Sequence, residues 1–240
     1  MDGAKLLPDS APRRRVSLES LRREITACRR CPRLVRWREK VAREKKAAYR
    51  GQEYWGKPVP GWGDPAARIV VVGLAPGAHG ANRTGRMFTG DESGRWLYRA
   101  LWRAGWGSQA ESVGREDGLK LQNVWITSPV KCAPPDNRPT PRERDHCAGF
   151  FARELGLLAS ARVFLALGGF GFEAVARFFG LRPKPKFGHG AEVALPGGKW
   201  LVGSYHVSQQ NTFTGRLTET MLDAVMQQAA RRAGLSGRKG

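Results

Sequence analysis

Apolar and polar positions fall into alternating blocks from residue 68 onward. Four short apolar runs are continuous: RIVVVG (68–73), NVWIT (123–127), RVFLAL (162–167) and WLVGSY (200–205). That is the pattern of strands buried on both faces. Between them the apolar spacing lengthens to a helical period. Leu97, Ala100, Leu101 and Ala104 share one helix face, and Val175, Phe178 and Phe179 mark another. Met221, Leu222, Val225, Met226 and Ala229 form the stripe of a last one. Thr140-Pro141-Arg142-Glu143 is a capping box with Pro at the first helical position, which starts a helix firmly. Nearer the N-terminus, Leu18, Leu21 and Ile25 repeat at helical spacing. Strands alternating with helices predict an α/β fold, a parallel sheet covered on both faces. Ligands of such sheets sit beyond the C-terminal ends of the strands, so the chemistry is expected in the loops that follow them. Residues 17–234 are read as one domain. Residues 1–16, rich in Pro, Ser and Arg with little to bury, read as a basic flexible lead-in, and 235–240 as a flexible tail. The Gly-, Pro- and Trp-rich stretch 51–66 reads as an ordered loop.

Charge narrows the class of partner. The 240 residues include 41 Lys and Arg against 21 Asp and Glu, a net charge of +20. Half of it lies in residues 1–50, which hold 16 Lys or Arg and 6 Asp or Glu. A chain so basic repels itself unless a polyanion meets it, and DNA is the natural one. Arg outnumbers Lys, which suits phosphate contacts. No apolar run reaches the roughly 18 residues that span a bilayer, so no membrane partner is expected. The N-terminus lacks the apolar core of a signal peptide, and a cytoplasmic location with reduced cysteines is expected. No long heptad or large apolar face points beyond a monomer.

Four cysteines in a reducing compartment suggest metal before disulfides. Cys28-x2-Cys31 forms a chelating turn, Cys132 follows the second strand, and Cys147 lies in the helix capped by Thr140. The spacing is too wide for a simple zinc knuckle, yet by itself it leaves zinc and iron–sulphur open.

The loop after the first strand, Gly73-Leu74-Ala75-Pro76-Gly77-Ala78-His79-Gly80 through Phe88-Thr89-Gly90-Asp91, is neither a P-loop nor a dinucleotide loop. It offers small residues that permit close backbone approach, an aromatic ring, and a carboxylate at a helix start. The last strand runs into SYHVSQQNT and then Phe213-Thr214-Gly215-Arg216-Leu217. A histidine directly after a buried strand, followed by polar residues and a Gly-Arg tip, belongs at the mouth of a site.

GLAPGAHGANRTGRMFTGD and SYHVSQQNT, together with the four cysteines, resemble the uracil-DNA glycosylase superfamily, above all its family 5, the broad-specificity iron–sulphur branch. The similarity runs from about Cys28 to the C-terminal helix. It implies a three-layer α/β/α fold around a central four-stranded parallel sheet, in agreement with the strand count. It implies that Cys28, Cys31, Cys132 and Cys147 hold a [4Fe-4S] cluster as a structural staple. Phe88 would stack on an extruded base, and His206 would donate a hydrogen bond to that base as it departs. Gly73, Ala75 and Gly77 would line the pocket, with His79 at its edge. The loop from Val207 to Leu217, with Ser208, Gln210, Asn211 and Arg216, would enter the minor groove.

Two positions depart from better-known branches. Leu74 stands where family 4 has an acidic residue, and Ser128 where many relatives carry a uracil-reading Asn. Both are typical of family 5 and loosen strict uracil specificity, so hypoxanthine and xanthine are expected substrates beside uracil. The water-activating role then shifts to Asp91, with Asn137 a further substrate contact. No lysine is placed as a Schiff-base nucleophile, so the implied reaction is hydrolysis of the N-glycosidic bond in DNA, leaving an abasic site and no strand cleavage. A competing reading is a non-catalytic DNA-binding module stabilised by zinc, which accounts for the charge and the cysteines but not for the two loop motifs.

Overall fold

A computed structural model of the protein describes residues 17–235. The lead-in assigned to residues 1–16, and all of the assigned tail except Leu235, lie outside the described residues. Leu235 packs against the core beside the last helix.

The four apolar runs form β2 (Ile69–Val72), β3 (Val124–Thr127), β4 (Val163–Leu167) and β6 (Lys199–Ser204). They pair in parallel in the order β3-β2-β4-β6, with Ile69 opposite both Val124 and Val163, and Val163 opposite Trp200. Two edge strands extend this parallel core to six. β1 (Trp62–Gly63) pairs antiparallel with β3, and β5 (Glu192–Leu195) antiparallel with β6. Neither was expected, for physical reasons. β1 is two residues inside a Gly/Pro/Trp loop, too short to show a period. β5 exposes much of its surface and is joined to β6 by Pro196-Gly197-Gly198, whose glycines have φ of 74° and 68°. That turn chemistry was the readable hairpin signal.

Side chains on the parallel strands alternate between two cores. Ile69, Val71, Ile126, Leu165 and Val202 face α4 (Glu92–Arg103) and α8 (Glu219–Ala233) through Leu97, Leu101, Leu222, Val225 and Met226. Val70, Val72, Trp125, Phe164 and Leu201 face α5 (Pro141–Leu157) and α6 (Gly169–Phe178) through Phe151, Leu155, Phe172 and Val175. The layers are therefore α/β/α, as expected. The Thr140 capping box is formed: Glu143 N–H donates to Thr140 Oγ1 at 3.3 Å, and Thr140 N–H to Glu143 Oε2 at 2.7 Å. Two helices precede the sheet, α1 (Leu18–Thr26) and α2 (Pro32–Glu44). α1 leans on α5 through Leu21, Ile25 and Phe150.

The chain leaves β2 toward β3 on one side and leaves β4 toward β6 on the other. The connections diverge beyond the C-terminal ends of β2 and β4, which is where such sheets form their binding crevice.

Candidate active site and cysteine centre

The β2–α4 connection, residues 73–91, folds back over the crevice around a short helix α3 (Ala81–Thr84). Phe88 sits in the left-handed region at φ 54°, unusual for a bulky side chain. Its neighbours hold it there. Tyr98 O–H donates to Met87 O at 2.8 Å, Thr89 Oγ1 and Ser112 Oγ are 2.7 Å apart, and Arg86 pairs with Asp117 at 2.7 Å beneath the loop. The result lays the Phe88 ring over Gly73: a Cβ there would come within 2.7 Å of Phe88 Cζ. His206, two residues past the end of β6, meets the same ring, with centroids 6.1 Å apart and planes tilted by 33°. Segments separated by more than a hundred residues thus converge on one spot. Enclosure pushes the His206 pKa down to about 4, so the imidazole is neutral at physiological pH.

Asp91 is the N-cap of α4, its Oδ1 accepting from Gly94 N–H at 2.9 Å. The other oxygen lies over the Gly77–Gly80 turn, where a Cβ at Gly80 would collide with it. Burial raises the Asp91 pKa. The Gly94 N–H and the Arg83 charge oppose that rise without cancelling it. A carboxylate with a raised pKa, facing small-residue backbone, is chemically suited to accept a proton or to oppose a positive charge.

Two residues that motif and periodicity did not single out belong here. Arg83 is buried and donates to His79 O at 2.8 Å and Gly90 O at 2.6 Å, stapling the loop across its width. Its guanidinium lies 3.9 Å from the Tyr49 ring centroid. Phe213, on the short helix α7 (Gln209–Phe213), is 71% exposed, the most exposed of the large apolar side chains described. Its only sequence signal was an aromatic among polar residues.

The other expected positions divide. Gly73 and Gly77 line the convergence, Gly73 against Phe88 and Gly77 against Asp91, and Ala75 packs instead beside the cysteines. His79 turns away, its Nδ1 3.1 Å from Tyr54 Oη. Asn137 is exposed at φ 54° in the Pro-rich turn after Cys132, and no described contact joins it to Phe88 or His206. Asn211 Nδ2 donates to His206 O at 2.8 Å and so ties α7 to the site. Ser208 is the N-cap residue of α7, Gln210 is exposed, and Arg216 stacks 4.8 Å over the Tyr205 ring.

Three of the four cysteines gather where the start of α2, the β3–α5 connection and α5 meet. All four are free thiols. Cys31, Cys132 and Cys147 cluster with Leu34 and Val130, and half-buried Cys28 packs against Leu21, Ile25 and Phe150. Burial pushes the thiols of Cys31 and Cys132 up to about 11 and 12, and each also feels the charge of Cys28 and Cys147. Arg38, itself 2% exposed, donates to Cys132 Sγ at 3.0 Å and to Cys28 O at 3.2 Å, and its buried Nε has no partner. A buried guanidinium aimed at sulphur fits an anionic sulphur centre and not four neutral thiols. Among the described residues no three His, Cys, Asp or Glu side chains stand close enough to share one metal ion.

Fold and site together define a class: a doubly covered sheet with a parallel core, whose switch-point loops bring an aromatic ring and an enclosed histidine together. A family model described as "Uracil DNA glycosylase superfamily" matches residues 60–230. The "Type-5 uracil-DNA glycosylase" of Thermus thermophilus is 55% identical over 218 residues, 90% of this chain and 99% of that protein. Proteins of the same name from Mycobacterium bovis and Mycobacterium leprae are 53% and 50% identical, covering 88% and 91% of this chain and 80% and 97% of their own lengths. The chain belongs to the uracil-DNA glycosylase superfamily and, within it, to the type-5 group.

Proposed function

We propose that the protein hydrolyses the N-glycosidic bond of uracil in DNA, and of other deaminated bases such as hypoxanthine and xanthine, leaving an abasic site for repair. The observation that carries this is the meeting of Phe88, Gly73 and His206 beyond the ends of the parallel strands, with half-buried Asp91 facing the Gly77–Gly80 turn of the same loop.

Cleavage needs charge stabilised at two ends, negative on the departing base and positive on the sugar. Neutral His206 donates a hydrogen bond to the base, and the bond strengthens as charge develops there. Asp91 serves the sugar end, orienting water and opposing the cationic carbon. The base must first leave the stack, at a cost of a few kcal/mol. Stacking on Phe88 returns about 1–3 kcal/mol of it. Exposed Phe213 acts as the apolar wedge that keeps the duplex open, supported by Ser208, Gln210, Asn211 and Arg216 along the same loop. Gly73 and Gly77 provide backbone at the pocket.

Cys28, Cys31, Cys132 and Cys147 would hold a [4Fe-4S] cluster. Its contribution is a crosslink joining α1, α2, the β3–α5 connection and α5, without electron transfer in the reaction. We further infer a monomer working in the cytoplasm. Among the described residues no helix is long and apolar enough to cross a membrane. Exposed large apolar side chains are scattered over Trp102, Val113, Phe178 and Phe213, which supports a monomer. A non-catalytic zinc module would leave the Phe88–His206 convergence without a purpose.

The test is release of free base from strands carrying uracil, hypoxanthine or xanthine, with the backbone left intact until alkali is added. No release from any of these, in single strands or duplexes, would overturn the reading.

A further inference from the structure

The largest groove described does not lie over Phe88. It runs beside α1 and α2, with a volume of about 960 Å³, and is walled opposite by Tyr54, Trp55, Gly56, Lys57, Pro60, Gly85 and Arg115. Seven Lys or Arg side chains line it against two glutamates. Both glutamates are already neutralised within the groove, Glu19 by Arg23 and Glu39 by Arg29. Among the described residues Arg22, Arg43, Lys57 and Arg115 are exposed and have no carboxylate partner. Such a concentration of like charge is self-repelling, and a line of phosphates would relieve it.

The Trp55 ring forms part of the floor. It packs over Gly85, while Arg115 and Lys57 lie 4.2 Å and 5.4 Å from its ring, so it orients cations and does not present a face for a base. A second cavity of about 400 Å³ adjoins the first, and the two share Tyr54, Trp55, Lys57 and Arg115. The groove wall is hydrogen-bonded to the loop of the candidate active site. Trp55 N–H donates to Arg83 O at 2.8 Å, Gly56 N–H to Asn82 O at 3.0 Å, and Tyr54 Oη meets His79 Nδ1. From Arg83 the chain reaches Phe88 in five residues.

We propose that this groove is a second nucleic-acid subsite, which holds the phosphate backbone of the strand flanking the target nucleotide. The inference rests on the glycosylase reading for the identity of the strand, not for the chemistry of the groove. The subsite extends the enzyme's grip beyond the extruded nucleotide without contacting bases, so it is indifferent to sequence.

The test uses the full chain with Arg22→Ala, Arg43→Ala and Lys57→Ala combined, all exposed positions with no described contact to Phe88, His206 or Asp91. Steady-state base release is measured on a single strand extended on both sides of uracil and on a uracil-centred trinucleotide, across a salt series. On the extended strand KM should rise about 10-fold with kcat unchanged, and the salt slope should fall by about 2, since each lost single-strand phosphate contact removes about 0.7. On the trinucleotide, which cannot span both sites, KM should not move. An unchanged KM and slope on the extended strand would overturn the proposal, as would equal weakening on the trinucleotide. Binding of an undamaged strand, read by fluorescence anisotropy, gives the same comparison without turnover. If the wild type released no base, the functional reading would fail while the groove was still under test.

Discussion

At Asp91 a helix cap and a buried charge pull in opposite directions. The cap stabilises α4 by about 1 kcal/mol, and asparagine performs it as well. The charge is different. Burial raises the folded-state pKa above the unfolded one, so the native protein holds this proton more tightly. The ionised form costs stability above the folded pKa, and that cost disappears as pH falls through it. Asp91→Asn should therefore melt at the same temperature as wild type or higher at pH 8, with any gain fading toward acid. Its turnover should fall by about 100-fold or more, the usual weight of a positioned proton acceptor. Unchanged turnover would remove Asp91 from the chemistry. His206, with a pKa of about 4, is uncharged across the working range. The acid limb of the rate profile should then belong to Asp91 and survive, at a lower overall rate, in His206→Asn. The residue types at these two positions were legible from motif alone. Their partners were not: Gly80 beneath the carboxylate, and Phe88 beside the imidazole, are neighbours only after folding.

Among the elements, α7 and the cysteine-bearing helices illustrate how far local pattern reaches. α7 is five residues long and could not persist alone. It is held by Asn211 to His206 O and by Leu217 N–H to Asn211 O at 3.0 Å. A rigid mount with one bare aromatic at its tip suits insertion between bases. Phe213→Ala should lower kcat/KM on duplex substrate by about 10-fold or more, because unstacking costs a few kcal/mol that the wedge helps to offset. On single strands, where no pair must open, the loss should be small. Equal losses on both would show that Phe213 does not act on the duplex. On α2, Arg38 carried no signal in the sequence, being one arginine among many, and it is among the largest fully buried side chains. Its donation to Cys132 Sγ would stabilise negative sulphur, so Arg38→Leu should weaken retention of the proposed cluster by about 10- to 100-fold, the usual weight of an outer partner at a metal site. Iron and sulphide content per chain and the brown absorbance read this directly. Full cluster content in the variant would leave Arg38 a purely structural residue.

For the whole molecule, the parallel core and its two helical layers were legible because strands buried on both faces must be continuously apolar. The edge strands β1 and β5 show no such run, since an edge needs none, and for β5 the one signal was the Pro196-Gly197-Gly198 turn. Charge had a clear sign in the sequence but no address. Net positive composition named a polyanion, while folding decided that the free cations beside α1 and α2 line one groove and that the glutamates there are already paired. The sequence by itself determined what depends on neighbours along the chain: the strand runs, the Thr140 cap, the Cys-x2-Cys turn and the two loop motifs. Only the tertiary structure decided what depends on contact between distant segments: the left-handed seat of Phe88, the raised pKa of Asp91, the lowered pKa of His206 and the burial of Arg38. The physical reason is that desolvation and steric fit are properties of surroundings, and surroundings exist only once the sheet has brought its loops together.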